Sequence, residues 1–390
     1  MARRGDVMLP CRDFDPRRVE TPAFVIDLEA LERNLGQLDE VQSAAGCNIL
    51  LALKGFAAWA TFPMIGKYLA GVSASGPDEA RLGREELGKQ VHTYCPAFSE
   101  ASLGEALAHS DHVVFNSVSQ IERFRKEIAR NRSRTSFGLR INPEHSEVDV
   151  AIYDPCAPHS RLGATAASLR SANLEGIDGL HFHTLCELGA DALERTLAVI
   201  EERFEPWLAS ARWVNFGGGH HITKPDYDVP LLVELIRGFR ERHRVDVFLE
   251  PGEAVGINTG ILVATVLDIV DNGGPIAILD TSATAHMPDV LEMPYRPHVR
   301  GAERPGALPH SIRLGGLTCL AGDVIGEYSF EKPLEIGDRL IFEDMAHYTM
   351  VKTTTFNGVR LPAITLFDAR DNSLTVQRRF RYEDYRDRLS

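Results

Sequence analysis

The chain has 390 residues, 44% hydrophobic and 25% charged, which suits a soluble globular protein of two domains, or one large barrel with an appendage, around a sizeable core. Its 55 acidic side chains outnumber 42 basic ones for a net charge of −13, which argues against nucleic acid or an anionic membrane as partner and suits a cationic ligand. The six cysteines, at 11, 47, 95, 156, 186 and 319, lie far apart without a CxxC pair, so neither a metal site nor a disulfide framework is expected, and a cytoplasmic setting is.

Residues 1–20 read as a polar, proline-punctuated arm that docks late or loosely, with no apolar segment of a signal peptide. TPAFVIDLEALERNL predicts a strand to Ile26 and a helix from Asp27, a residue suited to the N-cap. From there one rhythm repeats: a short apolar strand, a polar or glycine break, a helical stretch. The strands are NILLALK (48–54), GVSAS (71–75), VHTYCP (91–96), HVVFNS (112–117), SFGLRIN (136–142), GLHFHT (179–184), WVNFGGG (213–219) and VDVFLEPG (245–252). Amphipathic stretches such as PDEARLGREELG, SQIERFRKEIAR and ADALERTLAVIEERF separate them. Eight such units predict a TIM-like (β/α)8 barrel over residues 27–255, since an open doubly wound sheet rarely runs to eight. The long gap 143–178 is too polar and turn-rich for a simple helix, as functional or interfacial insertions are. After Gly252 the rhythm changes. ILVATVLDIV, PIAILDTS, SIRLGGLTC, DRLIFEDM and VRLPAITLFD predict a β-rich domain over 256–390, joined by the N-terminal strand within 1–26. The longest apolar run, GILVATVLDIV, is short and carries Asp268, so no membrane span is expected.

The polar residues at the barrel strand ends form a set. Lys54 ends the first strand, Arg140 lies on the fifth, His183 on the sixth, Gly217, Gly218 and Gly219 follow the seventh, and Glu250 ends the eighth. All belong on the C-terminal rim, where barrels build active sites. A lysine there, partly desolvated, loses its proton readily enough for Schiff-base formation. Three consecutive glycines offer unobstructed N–H groups to a phosphate. An acid ending a buried strand needs a cationic or hydrogen-bonding partner, and a protonated pyridine nitrogen serves. His181 and His183 both stand in HFH, and either suits a flat contact or a core position. Amine, cradle, histidine and acid together describe a pyridoxal 5'-phosphate site.

The stretches LALKGF, INPEHSEVDVAIYDPCAPHSRLG, GLHFHTLCE, NFGGGHHI, LEPGEA, HMPDVLEMPYRP and CLAGDVIGEY span nearly the whole chain. Through them the sequence resembles the barrel-fold pyridoxal-phosphate decarboxylases that include ornithine and diaminopimelate decarboxylases, relatives of alanine racemase. Within these it resembles the carboxynorspermidine (carboxyspermidine) decarboxylase subfamily most. LALK, GGG and EPG mark the superfamily, whereas the insertion and HMPDVLEMPYRP match the subfamily. The resemblance implies that Lys54 carries the cofactor, His183 stacks on its ring, Gly218 and Gly219 bind its phosphate, and Glu250 pairs with its ring nitrogen. Arg140 joins this cofactor set, and Tyr348, in AHYTM, matches a tyrosine that reaches the phosphate. Cys319 matches a proton donor supplied across a head-to-tail homodimer with shared active sites. Two positions depart from ornithine decarboxylases: Glu253 stands where they carry arginine after EPG, and Leu320 where an acid follows the cysteine. Asp323, three further on, is expected to be structural. The activity implied is decarboxylation of an amino acid with a polyamine tail, whose distal ammonium groups Glu253 and Asp289 would bind. The alternatives are another enzyme of the superfamily, diaminopimelate decarboxylase or a racemase, and a non-catalytic pyridoxal-phosphate-binding regulator.

Overall fold

The computed structural model describes residues 9–390, in two compact units: residues 33–255, and residues 256–390 together with the segment up to Glu32. The division falls inside the unbroken helix Leu28–Ala45 rather than at residue 27. Asp27 begins that helix, its Oδ1 accepting from the N–H groups of Glu29 and Ala30, both at 3.0 Å.

Strand β1 (Ala23–Asp27) belongs to the second unit. The first unit holds β2 (Asn48–Ala52), β3 (Gly71–Ala74), β4 (Gln90–Tyr94), β5 (His112–Phe115), β6 (Ser136–Asn142), a two-residue β7 (Ala164–Thr165), β8 (Gly179–His181), β9 (Trp213–Asn215) and β10 (Asp246–Leu249). All but β7 pair in parallel in the order β2-β3-β4-β5-β6-β8-β9-β10, and β10 returns to β2, closing an eight-stranded barrel. Strands so enclosed are buried on both faces, which explains their continuous apolar runs. All eight expected strands form, but most stop earlier than their apolar pattern. β2 ends at Ala52, β8 at His181, β9 at Asn215 and β10 at Leu249, so Lys54, His183, the glycines and Glu250 lie just beyond ordered strand. Side chains from β4, β5, β9 and β10 fill part of the interior: His92, His112, Trp213 and Phe248 pack as one aromatic group. The insertion 143–178 is mostly loop, with the 3₁₀ turn Ala151–Tyr153, β7 and the short helix Ala166–Leu169.

The second unit is a mixed sheet of β11 (Gly260–Asp271), β12 (Pro275–Leu279), β13 (Ala302–Glu303), β14 (His310–Gly315), β15 (Val324–Phe330), β16 (Arg339–Glu343), β17 (Ala363–Asp368) and β18 (Ser373–Arg378), with β1 inside it. β1 pairs antiparallel with β11 and parallel with β17. Sequence reading missed β13, β15 and β18; β15 begins within the stretch read as a motif, and β18 is largely exposed and polar. The expectation of a loosely docked arm is corrected for the residues described. Cys11, Phe14 and Val19 are buried with Ala23, Val25, Ile261, Val263, Ile341 and Phe367, and Cys11 N–H donates to Asp27 Oδ2 at 2.7 Å. Burying Phe14 and Val19 outweighs the polar composition around them. Residues 1–8 of that expectation lie outside the described residues. No helix among the described residues is long and apolar enough to cross a membrane.

Candidate active site

The barrel rim assembles from the turns that follow its strands. After β2 the chain turns at once: Gly55 and Phe56 N–H groups both donate to Ala52 O, and Ala52 N–H donates to Pro251 O at 3.1 Å. A Cβ on Gly55 would stand 2.8 Å from Gly252 Cα, and one on Gly252 would stand 2.9 Å from Gly55 Cα. Two loops thus meet backbone to backbone, which fixes Lys54 beside Glu250. Lys54 is exposed to solvent at the barrel mouth, yet protein surrounds it on the other sides. That surrounding mass, and after it the Arg140 guanidinium, lower its pKa, against the pull of Glu250 and Glu79. Open access and weakened basicity are what an amine nucleophile requires.

Glu250 is held from two sides. Asn215 Nδ2 donates to Oε1 at 2.7 Å and His181 Nε2 donates to Oε2 at 3.2 Å. Burial by itself would raise its pKa, but His181, the hydrogen bonds from His181 and Asn215, and Lys54 outweigh it, and the net direction is down. His181 moves down as well, chiefly through burial. The pair is therefore a carboxylate beside a neutral imidazole, with Tyr94 stacked on the imidazole at 5.5 Å. HFH thus divides its labour: His181 supports the acid, while His183, beyond the strand, accepts the Gly218 N–H on Nδ1 at 2.7 Å. Burial, then Lys54 and Arg140, hold His183 well below its usual pKa, so its ring is neutral. Arg140 lies 4.7 Å from the Tyr94 ring centroid and donates to His183 O at 3.2 Å.

The glycine loop is obligatory as built. Gly217 and Gly219 have φ of 70° and 83°, and a Cβ on Gly218 would stand 2.4 Å from Glu250 O. Side chains are excluded there, which leaves the bare backbone of a phosphate cradle. A lysine of weakened basicity, a glycine loop with no room for side chains and an ionised buried carboxylate fit pyridoxal phosphate on all three counts.

Several rim residues escaped the sequence reading. Asn215 orients both neighbours, donating to Glu250 and accepting from Gly217 N–H at 2.8 Å; its place two residues before the glycines was the available signal. Glu79, after β3, acts electrostatically on Lys54 and has its own pKa raised by burial. It carried no signal, since it sits in an ordinary amphipathic helix. Glu253 stands 3.2 Å from His221, so the acid expected to meet a ligand already faces a ring of the chain.

The remaining expected residues lie in the second unit. Cys319 is exposed, and its N–H donates to Asn357 Oδ1 at 2.8 Å. Next to it, buried Asp323 accepts from Thr318 N–H, Thr318 Oγ1, Ser282 Oγ and Thr284 N–H at 3.0, 2.7, 2.9 and 3.2 Å. Asp289 does not stand free: Lys352 Nζ donates to it at 2.5 Å and also to Glu292. Tyr348 opens the short helix Tyr348–Val351 and is half-buried.

Comparison with known proteins accords with this chemistry. Residues 23–346 match the family described as "Pyridoxal-dependent decarboxylase, C-terminal sheet domain". A carboxynorspermidine/carboxyspermidine decarboxylase of Campylobacter jejuni is 47% identical over 379 residues, covering 94% of this chain and 98% of the relative. A carboxyaminopropylagmatine decarboxylase of Synechocystis is also 47% identical, over 95% of each chain. The solved structure of carboxynorspermidine decarboxylase from Campylobacter jejuni, complexed with norspermidine, superposes with a TM-score of 0.87 at 45% identity, covering 95% of this chain and all of that one. With the glycine cradle, the buried acid and the exposed lysine gathered on one barrel rim, the chain belongs to the pyridoxal-dependent decarboxylases.

Proposed function

We propose that the protein decarboxylates an α-amino acid carrying a polyamine tail, carboxynorspermidine or carboxyspermidine, releasing norspermidine or spermidine. The observation that carries the substrate class is the near full-length 47% identity to a decarboxylase of those compounds, on a rim whose residues suit the reaction. The equal identity of the carboxyaminopropylagmatine decarboxylase supports a second reading within the same class, a tail ending in a guanidine.

The bound cofactor supplies an electron sink for the pair released when the α-carboxylate leaves as CO2. The chain's residues do the rest. Lys54 supplies the amine that carries the cofactor, its lowered basicity keeping more of it unprotonated. Glu250, ionised and fixed by Asn215 and His181, holds a proton on the cofactor's ring nitrogen. The neutral His183 ring, fixed by Gly218 N–H, provides a flat face for the cofactor ring. With the Gly217 and Gly218 N–H groups donated to Asn215 and His183, the loop would offer the phosphate bare backbone at Gly218 and the N–H of Gly219, and Tyr348 would serve as a further ligand. Arg140, stacked over Tyr94 and acting on Lys54, would keep positive charge beside the cofactor. Cys319 returns a proton to the α-carbon from the second subunit of a homodimer; its exposure, on a loop pinned by Asp323 and Asn357, supports that role. Asp289 serves the substrate tail by exchanging Lys352 for a substrate ammonium.

The test is product analysis with carboxynorspermidine, carboxyspermidine and carboxyaminopropylagmatine offered together. Release of CO2 from at least one, and none from diaminopimelate, is the expected outcome. Turnover of diaminopimelate alone would overturn the substrate class.

A further inference from the structure

The 143–178 insertion has no part in the steps above, yet its closing turn is fastened to the barrel at one side chain. Asn116, the residue after β5, is buried. Its Oδ1 accepts from Gly163 N–H and from the Tyr94 hydroxyl, both at 2.7 Å, and its Nδ2 donates to Arg161 O at 2.8 Å. Two of these partners belong to the insertion and the third is a barrel tyrosine. The turn is fixed on its other side as well. Gly163 has φ of 83°, and a Cβ there would stand 2.9 Å from Ile141 C. Asn142 Nδ2 donates to Leu162 O at 3.1 Å, and β7 runs on from the turn alongside β6.

Tyr94 carries this anchorage to the cofactor acid. Its ring stacks on His181 with 20° between the planes, and the Arg140 guanidinium lies over it at 4.7 Å. His181 Nε2 donates to Glu250, while its buried Nδ1 has no hydrogen-bond partner among the described residues. An imidazole that supports another group is commonly oriented by a hydrogen bond at its second nitrogen. Here the Tyr94 face does the orienting, so the placing of that ring decides how His181 meets Glu250. Burial raises the Tyr94 pKa, and its hydroxyl keeps the proton it shares with Asn116.

We propose that Asn116 and Tyr94 are positioning residues through which the insertion's closing turn, Arg161 to Gly163, orients His181 against Glu250. The insertion thereby takes part in holding the proton on the cofactor's ring nitrogen. This rests on the pyridoxal-phosphate reading of the rim and on no particular substrate.

The test compares Tyr94→Phe, which keeps the ring and cuts its link to Asn116, with Asn116→Leu, which removes all three hydrogen bonds. Three quantities are measured: the affinity of the apoenzyme for pyridoxal phosphate, the low-field proton resonance of the bound cofactor's ring N–H, and kcat and KM on carboxynorspermidine. Tyr94→Phe is expected to raise the cofactor Kd about 3- to 10-fold, to shift the resonance, and to lower kcat by a similar factor with KM within about twofold. Asn116→Leu should do as much and also speed hydrogen exchange over residues 161–165, which Tyr94→Phe leaves slow. Since Asn116 acts through Tyr94, the double variant should match Asn116→Leu alone. A cofactor Kd and a ring N–H resonance at wild-type values in Tyr94→Phe overturn the inference, whatever happens to the unfolding midpoint. So does a double variant whose losses multiply. Should Asn116→Leu fail to fold, Tyr94→Phe alone decides. If the wild type turns over no polyamine substrate while Tyr94→Phe still weakens cofactor binding and shifts the resonance, the substrate reading fails and the positioning role stands.

Discussion

Glu250 on the barrel rim and Asp323 in the β unit are both buried acids with their oxygens occupied, yet they are built by opposite means. Glu250 is gripped by side chains that arrive from other barrel strands, His181 from β8 and Asn215 from β9. Asp323 is gripped mainly by main-chain N–H and hydroxyl groups of two short loops, at Ser282, Thr284 and Thr318. The barrel acid leaves a charge on the rim where the proposed reaction takes place. The β-unit acid spends its charge on holding loops, one of which carries Cys319. One arrangement tunes reactivity and the other secures shape, and substitutions should separate them.

The largest expected effect sits beside Glu250. Lys54→Ala removes the group that carries the cofactor covalently in the proposed site, so kcat should fall by roughly 10⁴-fold or more. The absorbance of the wild-type cofactor linkage should vanish with it, and borohydride should label the Lys54 peptide alone in the wild type. Label on Lys224 would refute the assignment. If Cys319 acts across subunits, mixing Lys54→Ala with Cys319→Ala protein should restore about a quarter of the sites, one good site in half of the randomly paired dimers. A mixture that stays inactive while subunits exchange would place both residues in one chain.

Glu250→Gln keeps the shape and removes the charge. We expect kcat to fall about 10²- to 10³-fold with little change in the unfolding midpoint. Asp323→Ala should do the reverse, costing about 3 kcal/mol by stranding its buried donors, measured as a lower urea midpoint of the β unit. If Asp323→Ala leaves the urea midpoint unchanged but abolishes turnover, the contrast between the two acids collapses.

The smallest effect is graded with pH. Burial lowers His112 and His220 in the barrel, and His286 in the β unit, from 6.5 to about 4. Each is neutral when folded and takes up a proton more readily when unfolded. The stability they confer is complete above pH 6.5 and drains away as pH falls from there toward 4. The barrel also holds His92, pushed well below its usual value by burial. Hydrogen exchange at pH 5 should therefore show the barrel opening before the β unit, and the opposite order would count against this assignment of acid sensitivity.

The same contrast explains what could be read from the sequence. A parallel barrel sends every strand end to one rim, so residues at apolar run ends, Lys54, the glycines and Glu250, converge by topology alone. What pattern could not give is the division between His181 and His183, because strand β8 stops at His181 and alternation no longer applies to the residues after it. Glu79 was invisible for a similar reason: its reach to Lys54 depends on where a helix starts, not on composition. In the β unit, the convergence on Asp323 comes from loops around β12 and β14, which have no periodicity to read. There a motif match located Cys319, and only the structure supplied the surroundings. Asp289 looked available as an isolated acid because nothing in the sequence links it to Lys352, 63 residues later.

Strand β1 carries a consequence for biogenesis. It lies inside its sheet, and its parallel neighbour sets Ala23 against Ala363. At about 5–20 residues per second of synthesis, that neighbour follows roughly 17–70 s after β1 leaves the ribosome. All strands of the barrel are translated within this interval, and its ladders need nothing beyond Leu249. An apolar five-residue strand, AFVID, meanwhile waits with a free edge. Ribosome-bound chains halted near residue 330 should thus be the species most prone to capture by chaperones, and full release the moment when that liability disappears.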